Sequence, residues 1–130
     1  MDTAKAVATA IIGFTLLGVI VGGKNNNSPA PNATPVLQTY GSSCYTEGSF
    51  QKLEGQVTNI SDRPLSNVEA VAIFKTSNGQ FVKSDQAMLT YNPIMPGQTS
   101  PFLVITTGNP MISNCTVSFK TLFGGALAVK

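Results

Sequence analysis

Three patterns of apolar and polar positions follow one another along the chain. Residues 6–23, AVATAIIGFTLLGVIVGG, form 18 consecutive uncharged positions, most of them apolar. As a helix this run would measure about 27 Å at 1.5 Å per residue, close to the hydrocarbon thickness of about 30 Å. Residues 24–36, KNNNSPAPNATPV, carry three prolines and several turn-forming residues, with nothing to bury; such a segment reads as an extended linker. From residue 37 the pattern changes again, to short β-branched and aromatic runs bounded by turn signals, with no 3.6-residue stripe.

The runs can be placed. FQKLEGQVTN (50–59) sets Leu53, Gly55 and Val57 on one face, and SDRPLSN (61–67) is a turn-rich connection. NVEAVAIFKT (67–76) is a strand followed by Ser77-Asn78-Gly79, where Asn-Gly marks a hairpin with positive φ angles. QFVKSDQAML (80–89) returns, and Pro96-Gly97 is the pair expected in a type II turn. SPFLVITT (100–107) and NCTVSFKTLF (114–123) complete the set. Five or more short strands about ten residues apart predict an antiparallel sandwich, with Phe50, Phe81, Phe102 and Phe119 expected in its core.

The apolar run is expected to stay attached as a membrane anchor. A secretory signal has an apolar core of about 7–15 residues, a basic leader and an A-x-A-like cleavage site. Here the run is longer, MDTAK sets one lysine against one aspartate, and Val21-Gly22-Gly23 is a poor site. Residues 1–5 would then be a short cytoplasmic tail and 37–130 the extracytoplasmic domain. Lys5 and Lys24 flank the run symmetrically, so positive charge gives little orientation. The cysteines give it instead: Cys44 and Cys115 are the only two, and a pair near the ends of a small domain predicts a disulfide and an oxidising compartment. On the helix, Gly18 and Gly22 form a G-x-x-x-G, and Ala6, Thr9, Ala10 and Gly13 a second small-residue cluster. Small residues permit close backbone approach, so these positions are expected to pack against partner helices.

Composition removes several functions. Charged residues make up 11% of the chain, and the net charge of +2 gives no footprint for nucleic acid. There is no histidine, the usual general base near pH 7 and a common metal ligand. Asp62 stands alone beside Arg63 and reads as a turn rather than a calcium loop. No carboxylates lie close in sequence, and no G-x-S-x-G occurs. No enzymatic activity, cofactor or metal is expected. Asn26, Asn32, Asn59 and Asn114 each begin an N-x-[ST] sequon, whose use depends on the host.

The segment LEGQVTNISDRPLSNVEAVAIFKTSNGQFV, continued by PIMPGQTSPFLV, resembles the FxLYD domain family of small extracytoplasmic immunoglobulin-like β-sandwiches. The resemblance rests on Gly55-x-Val57-x-Asn59, Pro64-Leu65-x-x-Val68, Asn78-Gly79 and Pro96-Gly97-Gln98 followed by Phe102, and covers roughly residues 50–120. At the signature, Val71, Ala72, Ile73, Phe74 and Lys75 keep apolar character at the first, third and fourth positions but replace the aspartate by lysine. The resemblance implies an adhesive or scaffolding module without a common catalytic activity. The expected fold class is thus all-β, an antiparallel immunoglobulin-like β-sandwich preceded by one transmembrane α-helix.

The expected function is that of a single-pass, non-catalytic accessory subunit of a membrane protein complex. Its partners would be membrane protein subunits, met through helix and sandwich, and the lipid bilayer. Two alternatives are a free bitopic module binding cell-envelope material and a subunit of an extracellular filament or surface layer.

Overall fold

A computed structural model of the chain describes residues 33–130. The expected helix at 6–23, its packing positions Ala6, Thr9, Ala10, Gly13, Gly18 and Gly22, the tail at 1–5 and most of the linker lie outside the described residues. Among the described residues there is no helix long and apolar enough to cross a membrane.

Among the described residues there are six strands: β1 (Leu37–Glu47), β2 (Phe50–Asn59), β3 (Val68–Lys75), β4 (Phe81–Met88), β5 (Thr99–Thr107) and β6 (Asn114–Thr121). They make two three-stranded antiparallel sheets, ordered β1-β2-β5 and β4-β3-β6. The fold is therefore an all-β two-sheet sandwich. Strand alternation sorts residues onto the inner faces: Leu53 and Val57 from β2, Phe102 and Val104 from β5, Ala70, Ala72 and Phe74 from β3, and Phe119 from β6 are all buried. Phe102 and Phe119 meet edge to face across the two sheets, with ring centroids 5.4 Å apart and planes at 83°. That geometry is worth about 0.5–1.5 kcal/mol beyond the area buried.

Strand β1 includes Cys44. Its last part, YGSSCYTE, is polar and mostly exposed; pairing with β2 along its length makes it a strand. One extra residue interrupts the register between Tyr40 and Ser42, at Gly41 with φ 63°. This bulge lays the Gly41 carbonyl over Gly55, where a Cβ would come within 2.6 Å of that oxygen and 2.9 Å of the Phe102 ring. Gly55 is glycine because backbone approaches it so closely.

Two of the four phenylalanines expected in the core are not there. Phe50 is 47% exposed and Phe81 65%. The inner positions of β2 run Gln51, Leu53, Gly55, Val57, Asn59, so Phe50 has the outer parity; Phe81 pairs with Lys75 on the outer face of its sheet. Phe74, fully buried, fills the volume instead. The β3–β4 hairpin also differs from expectation: Gly79 has φ 88° while Asn78 does not have positive φ. Gly79 N–H donates to the Thr76 carbonyl at 3.0 Å, giving a three-residue loop closed by a left-handed glycine rather than a two-residue type I′ turn. At Pro96-Gly97 the expectation holds, with Gln98 N–H donating to Met95 carbonyl at 2.9 Å and φ 79° at Gly97.

Both flanks of the sandwich are closed differently. On one, Cys44 of β1 and Cys115 of β6 lie at disulfide distance with Cα atoms 5.8 Å apart, and the last residues bridge the same two strands: Leu127 N–H donates to Phe119 carbonyl, Val36 N–H to Ala128 carbonyl and Lys130 N–H to Leu37 carbonyl. On the other, Thr90 N–H donates to Pro101 carbonyl at 3.2 Å and Lys83 Nζ to Thr107 carbonyl at 3.3 Å.

Candidate functional site

Strand β5 pairs with β2 on one side; on the other no strand among the described residues pairs with it, although Thr90 and Lys83 reach its two ends from the opposite sheet. Because the Pro101 carbonyl points away from β2 to accept from Thr90, the backbone groups of Leu103 and Ile105, at the same parity, also face the open side. Both side chains stand on the outer face, 42% and 44% exposed, while Phe102, Val104 and Thr106 alternate inward. Native edges are commonly blunted by charge or proline. Here Pro101 blunts one end of the edge and Lys83, bonded to the Thr107 carbonyl, caps the other; the two outward residues between them are apolar.

The neighbouring outer face is ordered by polar contacts. Leu103 stands opposite Glu54, Ile105 opposite Lys52, and Thr107 opposite Phe50. The Lys52 ammonium bonds Glu47, and the Tyr45 hydroxyl donates to Glu54. The Lys52 hydrogen bond and charge hold the Glu47 carboxyl below its ordinary value. Donation to the Glu54 carboxylate, with its charge beside the phenol, pushes Tyr45 up to about 12. The long side chains are thus tied along β1 and β2, leaving Leu103 and Ile105 uncovered at the β5 edge. Beside them a recess of about 260 Å³ is lined by Glu54, Gln56, Thr90, Pro101 and Leu103. This arrangement offers backbone donors and acceptors flanked by apolar side chains, which suits an added strand or a flat apolar partner.

Other recesses carry less chemistry. A volume of about 470 Å³ at the β1–β2 turn is lined by Thr46, Gln51, Thr107, Asn109 and Ile112, without an ionisable side chain. Gln51, buried there, is satisfied by Thr46 Oγ1 and the Tyr45 carbonyl. On the outer face of the other sheet, Val71, Ile73, Ser84, Gln86, Ser118 and Lys120 line about 220 Å³. Next to Lys120 lies Glu69, buried, its Oε1 without a hydrogen bond among the described residues and 3.6 Å from Lys120 Nζ. Among the described residues no three acidic, cysteine or histidine side chains gather as a metal site.

Of the sites read from sequence, Cys44 and Cys115 are brought together; the helix positions lie outside the described residues. The β5 edge was missed, because strand order is a non-local property that the pattern around Leu103 and Ile105 does not encode. In the sequence Asn59 was legible as a sequon and as one position of the FxLYD resemblance, with no partners assigned to it. It is fully buried, and its side chain donates to the Arg63 and Ile94 carbonyls, both at 2.8 Å, and accepts from Ser61 N–H and Oγ.

Fold and surface together define a small antiparallel β-sandwich with an apolar stretch of edge, at Leu103 and Ile105, that no strand among the described residues pairs with. No protein-family model matches the chain, and no curated protein matches it in sequence. Among solved structures it is similar to a DUF1425 family member from Shewanella sp. pv-4, with TM-score 0.50, 11% identity and coverage of 75% of this chain and 89% of that one. It is also similar to IrmA from Escherichia coli (TM-score 0.48, 8% identity, 72% and 86% covered). A third similarity is to the C-terminal domain of wzt (TM-score 0.43, 13% identity, 78% and 80% covered). The likeness to the Shewanella protein shows a shared fold alone, and none of the three names states a reaction.

Proposed function

We propose that the chain is a single-pass, membrane-anchored accessory subunit whose extracytoplasmic, immunoglobulin-like sandwich binds a protein partner without catalysing a reaction. The observation that carries this reading is the middle of the β5 edge, where Leu103 and Ile105 are exposed and no strand among the described residues pairs with the outward backbone groups. The 18-residue uncharged run at 6–23 supports the anchor, and the FxLYD resemblance supports a scaffolding role. In this reading the N-terminus is cytoplasmic and the cysteine pair lies in an oxidising compartment. The helix then meets partner helices through Gly18, Gly22 and the cluster at Ala6, Thr9, Ala10 and Gly13.

Purification in mild detergent, followed by native mass measurement, tests the proposal. A stoichiometric complex is expected from the wild type. It should weaken with Leu103→Lys and Ile105→Lys, which place charge on an outward, already exposed edge, and with Gly18→Leu and Gly22→Leu, which keep the helix apolar but block close approach. Recovery of the chain alone would overturn the accessory-subunit reading. A complex untouched by the β5 pair would remove the edge as its contact.

A further inference from the structure

The strands bring three connections to one end of the sandwich: the β2–β3 loop, the β4–β5 loop and the turn after β6. There they lock together. Asn59 is bonded to both loops; Asn67 N–H donates to Asn92 Oδ1 and Asn92 Nδ2 to Asn67 Oδ1; and Leu122 N–H donates to the Asn67 carbonyl. This rigid platform carries exposed apolar and aromatic side chains: Ile60, Tyr91, Met95, Leu122 and Phe123, the last 88% exposed at the tip of its turn. Its charges nearly cancel, with Arg63 next to Asp62 and Lys130 close by at Leu37.

The chain enters the domain at this same end, since Leu37 opens β1 opposite Asn59. Residues 24–33 separate the uncharged run from Thr34, and ten residues reach at most about 36 Å. We infer that this end of the sandwich rests on the lipid bilayer surface, inserting Phe123 and Leu122 with Tyr91, Met95 and Ile60 around them. The inference rests on the anchored reading above. Aromatic and apolar side chains partition into the interfacial region. A tether this short gives an effective concentration on the order of millimolar, so a contact too weak for a free domain suffices. With Asp62 offsetting Arg63, insertion of apolar groups drives the contact rather than attraction to anionic lipid.

The chain contains no tryptophan, which makes single indole probes unambiguous. The full chain carrying Phe123→Trp is reconstituted in phosphatidylcholine vesicles with or without brominated acyl chains. Phe81→Trp, at the far end and 65% exposed, serves as comparison. The Phe123→Trp emission should be blue-shifted and strongly quenched by brominated lipid, and the Phe81→Trp emission neither. Equal quenching of both variants, or of neither, overturns the inference. A blue shift without lipid quenching also overturns it, because it assigns the platform to a protein surface. Resistance of the full chain to alkaline extraction from the vesicles tests the anchor separately, so a free-standing domain on an intact anchor is distinguished from failure of the anchor itself.

Discussion

The Asn59 side chain donates to the Ile94 carbonyl at 2.8 Å across 35 positions of sequence, fastening the end of β2 to the β4–β5 loop. All four hydrogen-bonding positions of the amide are used, and the residue is fully buried. Asn59→Ala would leave buried carbonyl and hydroxyl partners unmatched, at a cost of about 2–4 kcal/mol. Urea unfolding should show this as a lower midpoint with unchanged slope. The same geometry forbids a glycan on the folded domain, since attachment would replace one of the two Nδ2 hydrogens that bond the Arg63 and Ile94 carbonyls. Peptide mass analysis of protein from a glycosylating host should find Asn59 unmodified.

Gly55 and Gly41 form a second long-range dependence. A methyl group at 55 would press on the Gly41 carbonyl at 2.6 Å and the Phe102 ring at 2.9 Å. Gly55→Ala should therefore destabilise by about 1–3 kcal/mol, as overpacking does. Thermal unfolding measures it, and an unchanged midpoint would mean that the bulge at Gly41 yields easily.

These two cases mark how far the chain could be read directly. The segments 50–59, 67–76 and 100–107 were legible because β-branched and aromatic runs are local signals, and Pro96-Gly97 because a type II turn needs its glycine locally. Strand β1 was not, because Tyr40–Glu47 is polar and owes its conformation to pairing with β2. Phe50 and Phe81 were assigned inward on identity, whereas parity decides; Leu53 and Val57 set the parity of β2 and already place Phe50 outside. The partners of Asn59 and the open side of β5 depend on contacts dozens of residues apart, which no local pattern carries.

The phenol of Tyr45 offers a titration test. Its hydrogen bond to Glu54 raises it from 10.0 to about 12. A raised value means that the contact contributes below pH 10 and is lost as the pH climbs through about 12. Following phenolate absorbance, the step removed by Tyr45→Phe should be the one near 12. Glu54→Gln, which keeps an acceptor but removes the charge, should bring that step down toward 10.0. For Glu47 the sign is opposite: Lys52 lowers its carboxyl, so their bond contributes above the ordinary value and is lost as acid protonates it.

The cysteine pair joins the edge strand of one sheet to the edge strand of the other, 71 residues apart in sequence. A closed disulfide there would restrict the unfolded chain by about 4 kcal/mol in the loop-entropy view, a large share of what a domain this small retains. The flank it closes is also held by backbone bonds from the last residues, Leu127 to Phe119 and Lys130 to Leu37. Reduction should therefore loosen the sandwich without dismantling it at moderate temperature. The expected outcome is a Cys44→Ala, Cys115→Ala protein with native strand content by circular dichroism and a markedly lower denaturation midpoint. Thiol counting on the unreduced, denatured wild type decides the premise. No reactive thiol is expected; two would mean that the sulfurs face each other unbonded and that the oxidising compartment assigned to this domain is wrong.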